Sequence, residues 1–391
     1  MNKVRIFFLA LILLCITAFC IAPITADKSK GLFSGDILSI NIEAYISDVP
    51  DTPSFIADKE EAVRINPQDA ETWVDIGKAQ LKAENWREAE EAFARALDQD
   101  QTNTDAWEGY FLVLTETRPF EFLLSEVDRA IEINPADGSA WYYKGFALNE
   151  LGRYNEAIQT FDESIRIDPE DAILWTNKGF ALIRLGRYDE AIQACNQALM
   201  IGPEYAGTWS NKGSALNNLG RYNEAIQACD QAILIDPEYA TAWNNKGYAL
   251  NELGRYNEAI QACDQAILID PEYATAWNNK GYALNELGRY NEAIQACDQA
   301  LLFDPDYDPA WENKGYALNK LERYDEAVRA FDQALKIDPK DAHAWNNKGL
   351  ALYFLDRYNE AIQAFDQALK IDPGFALAKE NRDITLKNLK S

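Results

Sequence analysis

The sequence predicts an all-α protein, a solenoid of antiparallel helix pairs preceded by an amino-terminal hydrophobic segment. The first observation is an unbroken period of 34 residues, marked by Trp73, Trp107, Trp141, Trp175, Trp209, Trp243, Trp277, Trp311 and Trp345. Periods of this length are typical of stacked helix pairs in which each repeat contacts mainly its neighbours. The second observation is how little the repeats differ: residues 240–273 and 274–307 match at 31 of 34 positions. Such an array offers a long repeated surface and no obvious catalytic centre.

The amino terminus has the pattern of a targeting segment. Lys3 and Arg5 precede an uncharged run over residues 6–26, in which small residues stand at Ala22 and Ala26. This pattern predicts a signal peptide cleaved after Ala26, or a membrane anchor, because the run also reaches the roughly 20 residues that span a bilayer. The basic residues favour a start inside the cell and the repeats outside it. We therefore expect an exported protein, secreted or membrane-anchored, that contacts the membrane only through residues 6–26.

The remaining chain divides by composition and phase. Residues 27–53 mix glycine, proline and polar residues without a helical period and are interpreted as a linker. Residues 54–69 have the pattern of the second helix of a truncated repeat, since Asn66-Pro67 is in phase with later Asp-Pro pairs. Nine repeats follow over 70–375, and 376–391 is expected to be a capping helix. The repeats are 70–103, 104–137, 138–171, 172–205, 206–239, 240–273, 274–307, 308–341 and 342–375.

Each repeat contains the signals of two helices and two turns. In the repeat from Gly138, Trp141, Gly145 and Leu148 recur at spacings of four and three, which places them on one face of a first helix. Gly152 stands where a helix end favours a left-handed residue. Asp168-Pro169 ends the second helix, because the residue before proline avoids helical dihedral angles.

These residues identify the repeat as a member of the tetratricopeptide repeat (TPR) family. Trp243, Gly247, Tyr256, Ala259 and Pro271 stand at family positions, and most other repeats keep them. The resemblance covers about residues 55–391. It implies helix pairs that stack into a right-handed superhelix, with the first helices along the concave side.

Some repeats depart from the family pattern. The repeat over 104–137 has Phe111 in place of a glycine and Arg118-Pro119 at the turn within the pair, so its geometry is not predicted. Glu322 and Asp356 replace the turn glycine, at a cost of about 1 kcal/mol each if the turn keeps its left-handed dihedral angle.

Charge limits the classes of partner. Lys and Arg total 37 against 63 acidic residues, for a net charge of −26. A field of this sign repels phosphate backbones, so we expect no nucleic-acid partner. TPR domains that clamp carboxyl termini need basic residues on the concave stripe, where this chain has Ser139, Tyr142, Thr176, Ser210, Thr241, Asn244, Thr275 and Asn278. The resemblance therefore implies an extended ligand that is neutral or basic.

The predicted binding residues lie on the first helices. One row, which we call the asparagine ladder, follows six tryptophans by two residues: Asn177, Asn211, Asn245, Asn279, Asn313 and Asn347. Tyr248, Tyr282 and Tyr316 share that side of the helices with Asn244, Asn278, Asn251 and Asn285. An amide donates and accepts hydrogen bonds, as a peptide backbone does. The array resembles the TPR superhelix of O-linked N-acetylglucosamine transferase, in which such a ladder holds peptide backbone. The alternative, that these asparagines serve local packing, stays open.

Catalytic and metal chemistry find no support in the sequence. Cys195, Cys229, Cys263 and Cys297 also recur every 34 residues, but successive helices pack roughly 8–10 Å apart, too far for a disulfide or a shared metal. We expect them to be small buried hydrophobic residues. No nucleophile–base pair and no phosphate-binding glycine loop can be identified. We therefore expect no enzyme activity, no metal and no cofactor.

The functional prediction is a non-catalytic scaffold that binds an extended segment of another protein along the concave groove, outside the cytoplasm. Near-identical repeats predict several equivalent binding registers and little sequence selectivity. The alternative is a structural element of the cell envelope that assembles by self-association.

Overall fold

A computed structural model of the chain describes residues 45–50 and 53–390. Over these residues the helices are joined by short turns, and no strand is present. The helices, numbered in chain order, are α1 (Pro53–Ile65), α2 (Ala70–Lys82), α3 (Trp86–Gln99), α4 (Thr104–Thr117), α5 (Phe120–Ile133), α6 (Gly138–Glu150), α7 (Tyr154–Ile167), α8 (Ala172–Arg184), α9 (Tyr188–Ile201), α10 (Ala206–Asn218), α11 (Tyr222–Ile235), α12 (Ala240–Glu252), α13 (Tyr256–Ile269), α14 (Ala274–Glu286), α15 (Tyr290–Phe303), α16 (Asp308–Lys320), α17 (Tyr324–Ile337), α18 (Ala342–Phe354), α19 (Tyr358–Ile371) and α20 (Ala376–Lys390). The prediction of an all-α array of helix pairs is confirmed.

The chain forms two compact parts that meet in sequence at Leu123 and Leu124. In the carboxy-terminal part, each first helix packs against its own second helix and against the first helix of the next repeat, as α10 does with α11 and α12. The second helix also packs against the first helix that follows. Both helices of a repeat therefore contact the first helix of the next repeat. The amino-terminal part repeats this arrangement with α2, α3 and α4.

The tryptophans hold the turns between repeats. The indole Nε1 of Trp243 donates to the backbone oxygen of Pro237 at 3.0 Å, and Trp277 does the same to Pro271 at 2.9 Å. Each bond ties a first helix to the proline that ends the preceding second helix. This explains why tryptophan and proline keep a fixed spacing through the array.

The two helices of a pair approach closely where the sequence has glycine. A Cβ added at Gly145 would lie 2.6 Å from the ring of Phe161, and one at Gly247 would lie 2.6 Å from Sγ of Cys263. Phenylalanine and cysteine thus occupy the same place in different repeats. The repeating cysteines are free and fully buried, which confirms the expectation of small hydrophobic residues.

The turn within each pair needs a left-handed residue. Gly254 has φ +71°, and Glu322 and Asp356 keep the same conformation at +59° and +57°. The predicted strain at these two residues is therefore present. The turn after α2 contains a third case that the sequence analysis does not single out, Glu84 at φ +58°.

The divergent repeat over 104–137 still forms helices. Phe111 is fully buried and its ring stacks on that of Trp107 at 5.4 Å. Arg118 is extended, and α5 begins directly after Pro119. In this repeat an extended Arg118 takes the place of the left-handed glycine of the other turns. Extended geometry is expected there because proline disfavours helical dihedral angles in the residue before it.

The predicted signal or anchor segment at residues 1–26 and most of the predicted linker lie outside the described residues. Among the helices over 53–390, none is both long and hydrophobic enough to span a bilayer.

Candidate functional site

The predicted binding residues lie on one surface of the carboxy-terminal part, which we call the first-helix face. Each first helix contributes the residues one, two, five, eight and nine places after its tryptophan. In α12 these are Asn244, Asn245, Tyr248, Asn251 and Glu252. Because α10, α12, α14 and α16 are in direct contact, their rows are adjacent.

The asparagine ladder bonds to the preceding repeat. Nδ2 of Asn279 donates to Oδ1 of Asn244 at 2.8 Å, and Nδ2 of Asn313 donates to Oδ1 of Asn278 at 2.9 Å. Nδ2 of Asn245 contacts Ser210 in the same way at 3.2 Å. Asn177 instead donates to the backbone oxygen of Ile173 in its own helix. Asn245, Asn279 and Asn313 therefore all donate, and the acceptor is each time the residue one place after the tryptophan of the preceding repeat.

A second set of asparagines bonds to the following repeat. Nδ2 of Asn251 donates to the backbone oxygen of Asn279, and Nδ2 of Asn285 to that of Asn313, both at 2.9 Å. Their Oδ1 atoms are buried and accept no hydrogen bond from any residue that the structure describes. Asn149, Asn217 and Asn319 repeat both features.

Burial makes many of the predicted asparagine side chains inaccessible to a ligand. The buried members of the predicted set are Asn177, Asn211, Asn244, Asn251, Asn278, Asn279 and Asn285, whereas Asn245, Asn313 and Asn347 are half-buried. Buried polar groups need hydrogen-bond partners, and the neighbouring repeats supply most of them. The packing alternative thus has direct support in these bonds, and a peptide-holding role for the ladder stays a prediction.

The tyrosines form the accessible part of the face. Tyr248 is 39% exposed, and Tyr282 and Tyr316 are half-buried. Tyr248 packs edge-on against Tyr222 at 6.5 Å between ring centroids, as Tyr282 does against Tyr256 at 6.4 Å. Each ring is therefore held by the second helix of the preceding repeat. Burial and the charge of Glu286 raise the pKa of Tyr282 to about 12.

Two glutamates that the sequence analysis does not single out lie beside these rings. Glu252 and Glu286 are exposed at the ends of α12 and α14, and each accepts a hydrogen bond from a tyrosine hydroxyl. The distances are 3.2 Å from Tyr222 to Glu252 and 3.4 Å from Tyr256 to Glu286. Both glutamates stand nine residues after a tryptophan, and this repeated spacing could have identified them from the sequence. We call Tyr248, Tyr282, Glu252 and Glu286 the tyrosine–glutamate stripe.

Charge along this edge changes at the end of the stripe. In α16 the place of Glu286 is taken by Lys320, whose Nζ lies 5.2 Å from the ring centroid of Tyr316. In α6 the place is taken by Glu150, and burial raises the pKa of its carboxyl to about 7. The unpaired acidic charge is thus concentrated on α12 and α14.

In the amino-terminal part, residues that precede the repeats contact the corresponding surface of the first helices. Tyr45 and Val49, which belong to no repeat, lie against α2 and α4. Oη of Tyr45 donates to the backbone oxygen of Asp105 at 2.6 Å, and Nζ of Lys78 lies 4.4 Å from the tyrosine ring centroid. Nζ of Lys82 donates to the backbone oxygen of Val49 at 2.6 Å. Lys78 and Lys82 follow Trp73 by five and nine residues, the same places as Tyr248 and Glu252 in α12.

A missing ladder residue makes room for Tyr45. Gly109 stands where other repeats have a ladder asparagine, and a Cβ there would lie 2.5 Å from Oη of Tyr45 and 2.4 Å from Phe93. Tyr45 and Val49 are both buried as a result. Burial and the nearby Asp105 and Glu108 raise the pKa of Tyr45. A segment that turns between Tyr45 and Val49 is therefore anchored by one aromatic ring and one backbone carbonyl.

One carboxyl on the first-helix face of α16 is strongly perturbed. Glu312 stands where α12 and α14 have Asn244 and Asn278. Burial, a hydrogen bond to Asp341 and the charges of Asp341, Asp308 and Asp338 raise its pKa to about 9. Burial of Asp341 is outweighed by hydrogen bonds from Glu312 and from the backbone of Ala344 and His343, so the pKa of Asp341 is lowered. The protonated glutamate donates to the ionised aspartate.

Most other charged side chains serve structure. Lys246 and Lys280 reach back to Asp230 and Asp264 of the preceding repeat, both at 2.6 Å. Arginines at the start of the second helices bond glutamates three residues later, as Arg255 does with Glu258. Burial raises the pKa of the four thiols, Cys195, Cys229, Cys263 and Cys297, to about 12. Within the part of the chain that the structure describes, no three metal-ligating side chains converge.

Comparisons with known families match this geometry. Models described as tetratricopeptide or TPR repeat match residues 74–114 and 312–374, residues 172–205, 206–239, 240–273 and 274–307, residues 145–186, and residues 127–159. Together they cover well over half of the chain. A search of curated proteins gave no match.

Solved structures resemble this chain at low sequence identity. A chain of the APC/C hetero-tetramer Cut9–Hcn1 has a TM-score of 0.59 at 16% identity, over 91% of this chain and 86% of that chain. A tetratricopeptide repeat protein from Parabacteroides merdae has a TM-score of 0.49 at 17% identity, over 64% of this chain and 98% of that chain. YrrB, titled a TPR protein with an unusual peptide-binding site, has a TM-score of 0.41 at 23% identity, over 49% and 99%. Identities this low concern the fold alone.

Proposed function

Because the chain belongs to the tetratricopeptide repeat family, whose repeats form protein-interaction scaffolds, we propose that it binds an extended, neutral or basic segment of another protein. The proposed contact is the tyrosine–glutamate stripe of α12 and α14. The ladder asparagines are proposed to contribute through the amides that are half-buried. The observation that carries the proposal is the seating of Tyr45 and Val49 on the equivalent surface of α2 and α4.

Charge selects the ligand. In the amino-terminal part, Lys82 donates to a backbone carbonyl; the same place in α12 and α14 holds an exposed glutamate. A carboxylate accepts hydrogen bonds and favours a cationic partner. The exposed ring of Tyr248 adds apolar area and a face for a lysine or arginine. A net charge of −26 attracts basic segments in the same sense.

Spacing also favours an extended ligand. Neighbouring first helices pack about 8–10 Å apart, and a chain in the extended polyproline II conformation advances about 3.1 Å per residue with three residues per turn, so every third residue meets the same place on the next helix. A segment with lysine at every third position would match Glu252 and Glu286 together. Since the repeats 240–273 and 274–307 are nearly identical, adjacent registers are nearly equivalent.

The test uses a fluorescein-labelled synthetic peptide with lysine at every third position and serine and tyrosine between. Fluorescence anisotropy should show binding that weakens at least tenfold in a variant with Glu252→Gln and Glu286→Gln, and again with Tyr248→Ala and Tyr282→Ala. A matched variant with Glu238→Gln and Glu272→Gln removes two exposed acids from the turns instead and should bind within threefold of the native chain. Equal weakening by both glutamate pairs would attribute binding to net charge and refute the stripe.

The ladder has its own test in the same assay. Asn245→Ala and Asn313→Ala should weaken the peptide further if the half-buried amides hold backbone. Circular dichroism controls for folding, because both amides also link repeats. Unchanged affinity in a folded variant would leave these asparagines with a packing role alone.

We also propose that the repeats act outside the cytoplasm, either secreted or held by residues 6–26. The support is the basic start, the uncharged run and the small residues at Ala22 and Ala26. Mass spectrometry of the mature protein distinguishes the two forms, since cleavage after Ala26 gives a chain that begins at Asp27. Recovery of the intact chain in the cytoplasm would refute export.

A further inference from the structure

The last residue of each first helix belongs to the first-helix face, and its chemistry changes along the array. From α10 to α18 these residues, which we call the end row, are Asn218, Glu252, Glu286, Lys320 and Phe354. All of them are exposed. The two glutamates are members of the tyrosine–glutamate stripe. A neutral amide thus precedes the stripe, and a cation and an aromatic ring follow it.

Contacts within the structure place the members of the end row at equivalent positions. Glu252 and Glu286 each accept a hydrogen bond from the tyrosine that begins the second helix of the preceding repeat. The ring of Phe354 packs on the tyrosine at that same place, Tyr324, with centroids 4.9 Å apart and planes inclined by 14°. The helices α12, α14, α16 and α18 also contact one another in turn. A ligand that extends along the array from Glu286 therefore meets Lys320 and then Phe354.

Lys320 supplies a positive charge at the third place. Its side chain is exposed, and its Nζ lies 5.2 Å from the ring centroid of Tyr316 in the same helix. It forms no ion pair with any residue that the structure describes, Glu322 in the turn that follows included. A carboxylate on a ligand would give this ammonium group a charge-assisted hydrogen bond. The same place on α12 and α14 repels a carboxylate.

Phe354 supplies an aromatic ring at the fourth place. Its ring stacks on that of Tyr324 and packs edge-on against Tyr353 at 5.3 Å, yet 55% of it stays exposed. Tyr353 is held in turn by Asn388 of α20, whose Nδ2 donates to the tyrosine hydroxyl at 2.7 Å. Leu350 lies one helical turn before Phe354 and is half-buried. A ring that is fixed by its neighbours and still exposed suits an apolar side chain of a partner.

The two ends of the stripe differ, and this difference sets the register of a ligand. Asn218 is neutral, and its Nδ2 donates to the backbone oxygen of Ser214 in its own helix at 2.9 Å. The near identity of residues 240–273 and 274–307 leaves two adjacent registers nearly equivalent by itself. A shift by one repeat, however, moves a basic ligand residue from Glu286 to Lys320. Only one register then pairs every charge with its opposite.

On the premise that the stripe binds an extended segment as proposed above, we propose that this segment carries two basic residues, an acidic residue and an apolar residue, in this order at every third position. The basic residues contact Glu252 and Glu286. The acidic residue contacts Lys320, and the apolar residue contacts Phe354. The partner is thus a protein segment in which the sign of the charge reverses beside a hydrophobic residue. Its sequence runs with the array or against it, and each direction is tested with its own peptide.

The test is fluorescence anisotropy of fluorescein-labelled peptides with the full chain. The glutamate peptide has lysine, lysine, glutamate and leucine at every third position, with serine between, and the lysine peptide has a third lysine in place of the glutamate. Both are made in the two sequence directions. In one direction, the native chain should bind the glutamate peptide at least tenfold more tightly. A net charge of −26 acting alone favours the lysine peptide, so the two explanations predict opposite signs.

Charge reversal assigns the preference to one residue. Lys320→Glu should invert it, so that the lysine peptide binds at least tenfold more tightly than the glutamate peptide. Glutamate already ends α12 and α14, so this substitution suits the fold. The control Lys336→Glu, exposed on the second helix α17, makes the same change in net charge and should leave the native preference within threefold. Equal effects of the two variants, or no effect of Lys320→Glu, would overturn the role of Lys320.

The apolar place is tested with a second pair of variants. Phe354→Ala should weaken the glutamate peptide at least fivefold and should not weaken a peptide with serine in place of the leucine. The control Leu302→Ala removes an exposed side chain from the second helix α15 and should change neither affinity. A loss that is the same for both peptides would overturn the contact between Phe354 and the apolar residue.

Failure of the proposed function would look different. Peptides that bind the native chain and the variant with Glu252→Gln and Glu286→Gln equally well would refute binding at the stripe itself. Peptides that need both glutamates but show no preference between glutamate and lysine at the third place would leave that function standing. They would overturn only the order of residues proposed for the ligand.

Discussion

Asparagine has a role in this chain that depends on its place in the repeat. The amides of Asn279 and Asn313 reach back to the preceding repeat, and that of Asn251 reaches forward to the backbone of the next. Tyrosine and glutamate occupy the accessible places between them. At the scale of single residues, the face therefore combines buried amides that link repeats with exposed groups that are free to select a ligand.

The strained turns allow a first prediction at the residue scale. Replacing Glu322 by glycine removes the Cβ from a residue at φ +59° and should stabilise the protein by about 1 kcal/mol. Chemical denaturation followed by circular dichroism measures the shift. The reverse change, Gly254→Ala at φ +71°, should cost a similar amount. A shift of the same sign in both variants would contradict the strain argument.

Glu312 gives a second residue-scale prediction. Its folded pKa of about 9 lies above the unfolded value, so its contribution to stability is full below about pH 4.5 and is lost as pH rises through 9. Glu312→Asn restores the residue found at Asn244 and Asn278 and provides an acceptor for the amide of Asn347. Thermal melts between pH 5 and 9 should show a gain over the native chain that grows with pH. A gain that is constant with pH would show that Glu312 does not titrate in this range.

At the scale of helices, each pair is stabilised by contacts with its neighbours. Tryptophan ties the turn between repeats, lysine pairs with an aspartate one repeat back, and asparagine bonds in both directions. A helix pair alone would lose all three. The array therefore needs its end covered, and α20 packs against α19 where the repeats stop.

The link between neighbouring first helices can be measured with one pair of variants. Asn251→Ala removes a buried amide that donates to the backbone of Asn279 and should cost about 0.5–1.5 kcal/mol. Asn257→Ala, exposed at the start of α13, should change stability by less than about 0.5 kcal/mol. Denaturant midpoints compare the two variants. Equal effects would show that the inter-repeat bond contributes no net stability.

For the whole molecule, a linear array means that a substitution should change stability mainly in its own repeat and in the repeats beside it. Gly247→Ala forces a Cβ to within 2.6 Å of Sγ of Cys263 and should destabilise the pair α12–α13. Hydrogen exchange should increase in that pair and its direct neighbours, and stay unchanged in α2 and α3. Adding Cys263→Ala removes the contact and should restore protection. Uniformly faster exchange over all described helices would indicate one cooperative unit.

The sequence predicted the helix pairs and much less of the binding face. The spacing of Trp243, Gly247 and Pro271 set the period, the turn and the ends of the helices. It also put Asn279 and Tyr282 on one side of a first helix. Spacing within one helix could not tell that Asn279 would bond to Asn244 of the repeat before it, while the ring of Tyr248 would remain accessible. The seat of Tyr45 on α2 and α4 was equally invisible, since Tyr45 and Asp105 are 60 residues apart.

The sequence by itself determined the repeat, its helix pairs, the glycine turns and the acidic charge, because these depend on residues within one period. The tertiary structure decided which polar groups form hydrogen bonds between repeats and which remain exposed to a partner. The physical reason is that the decisive hydrogen bonds join residues 28 or 35 positions apart, whose approach is set by the packing of neighbouring helices. The exposure of Phe354 was decided in the same way, because its ring rests on Tyr324 of the preceding repeat.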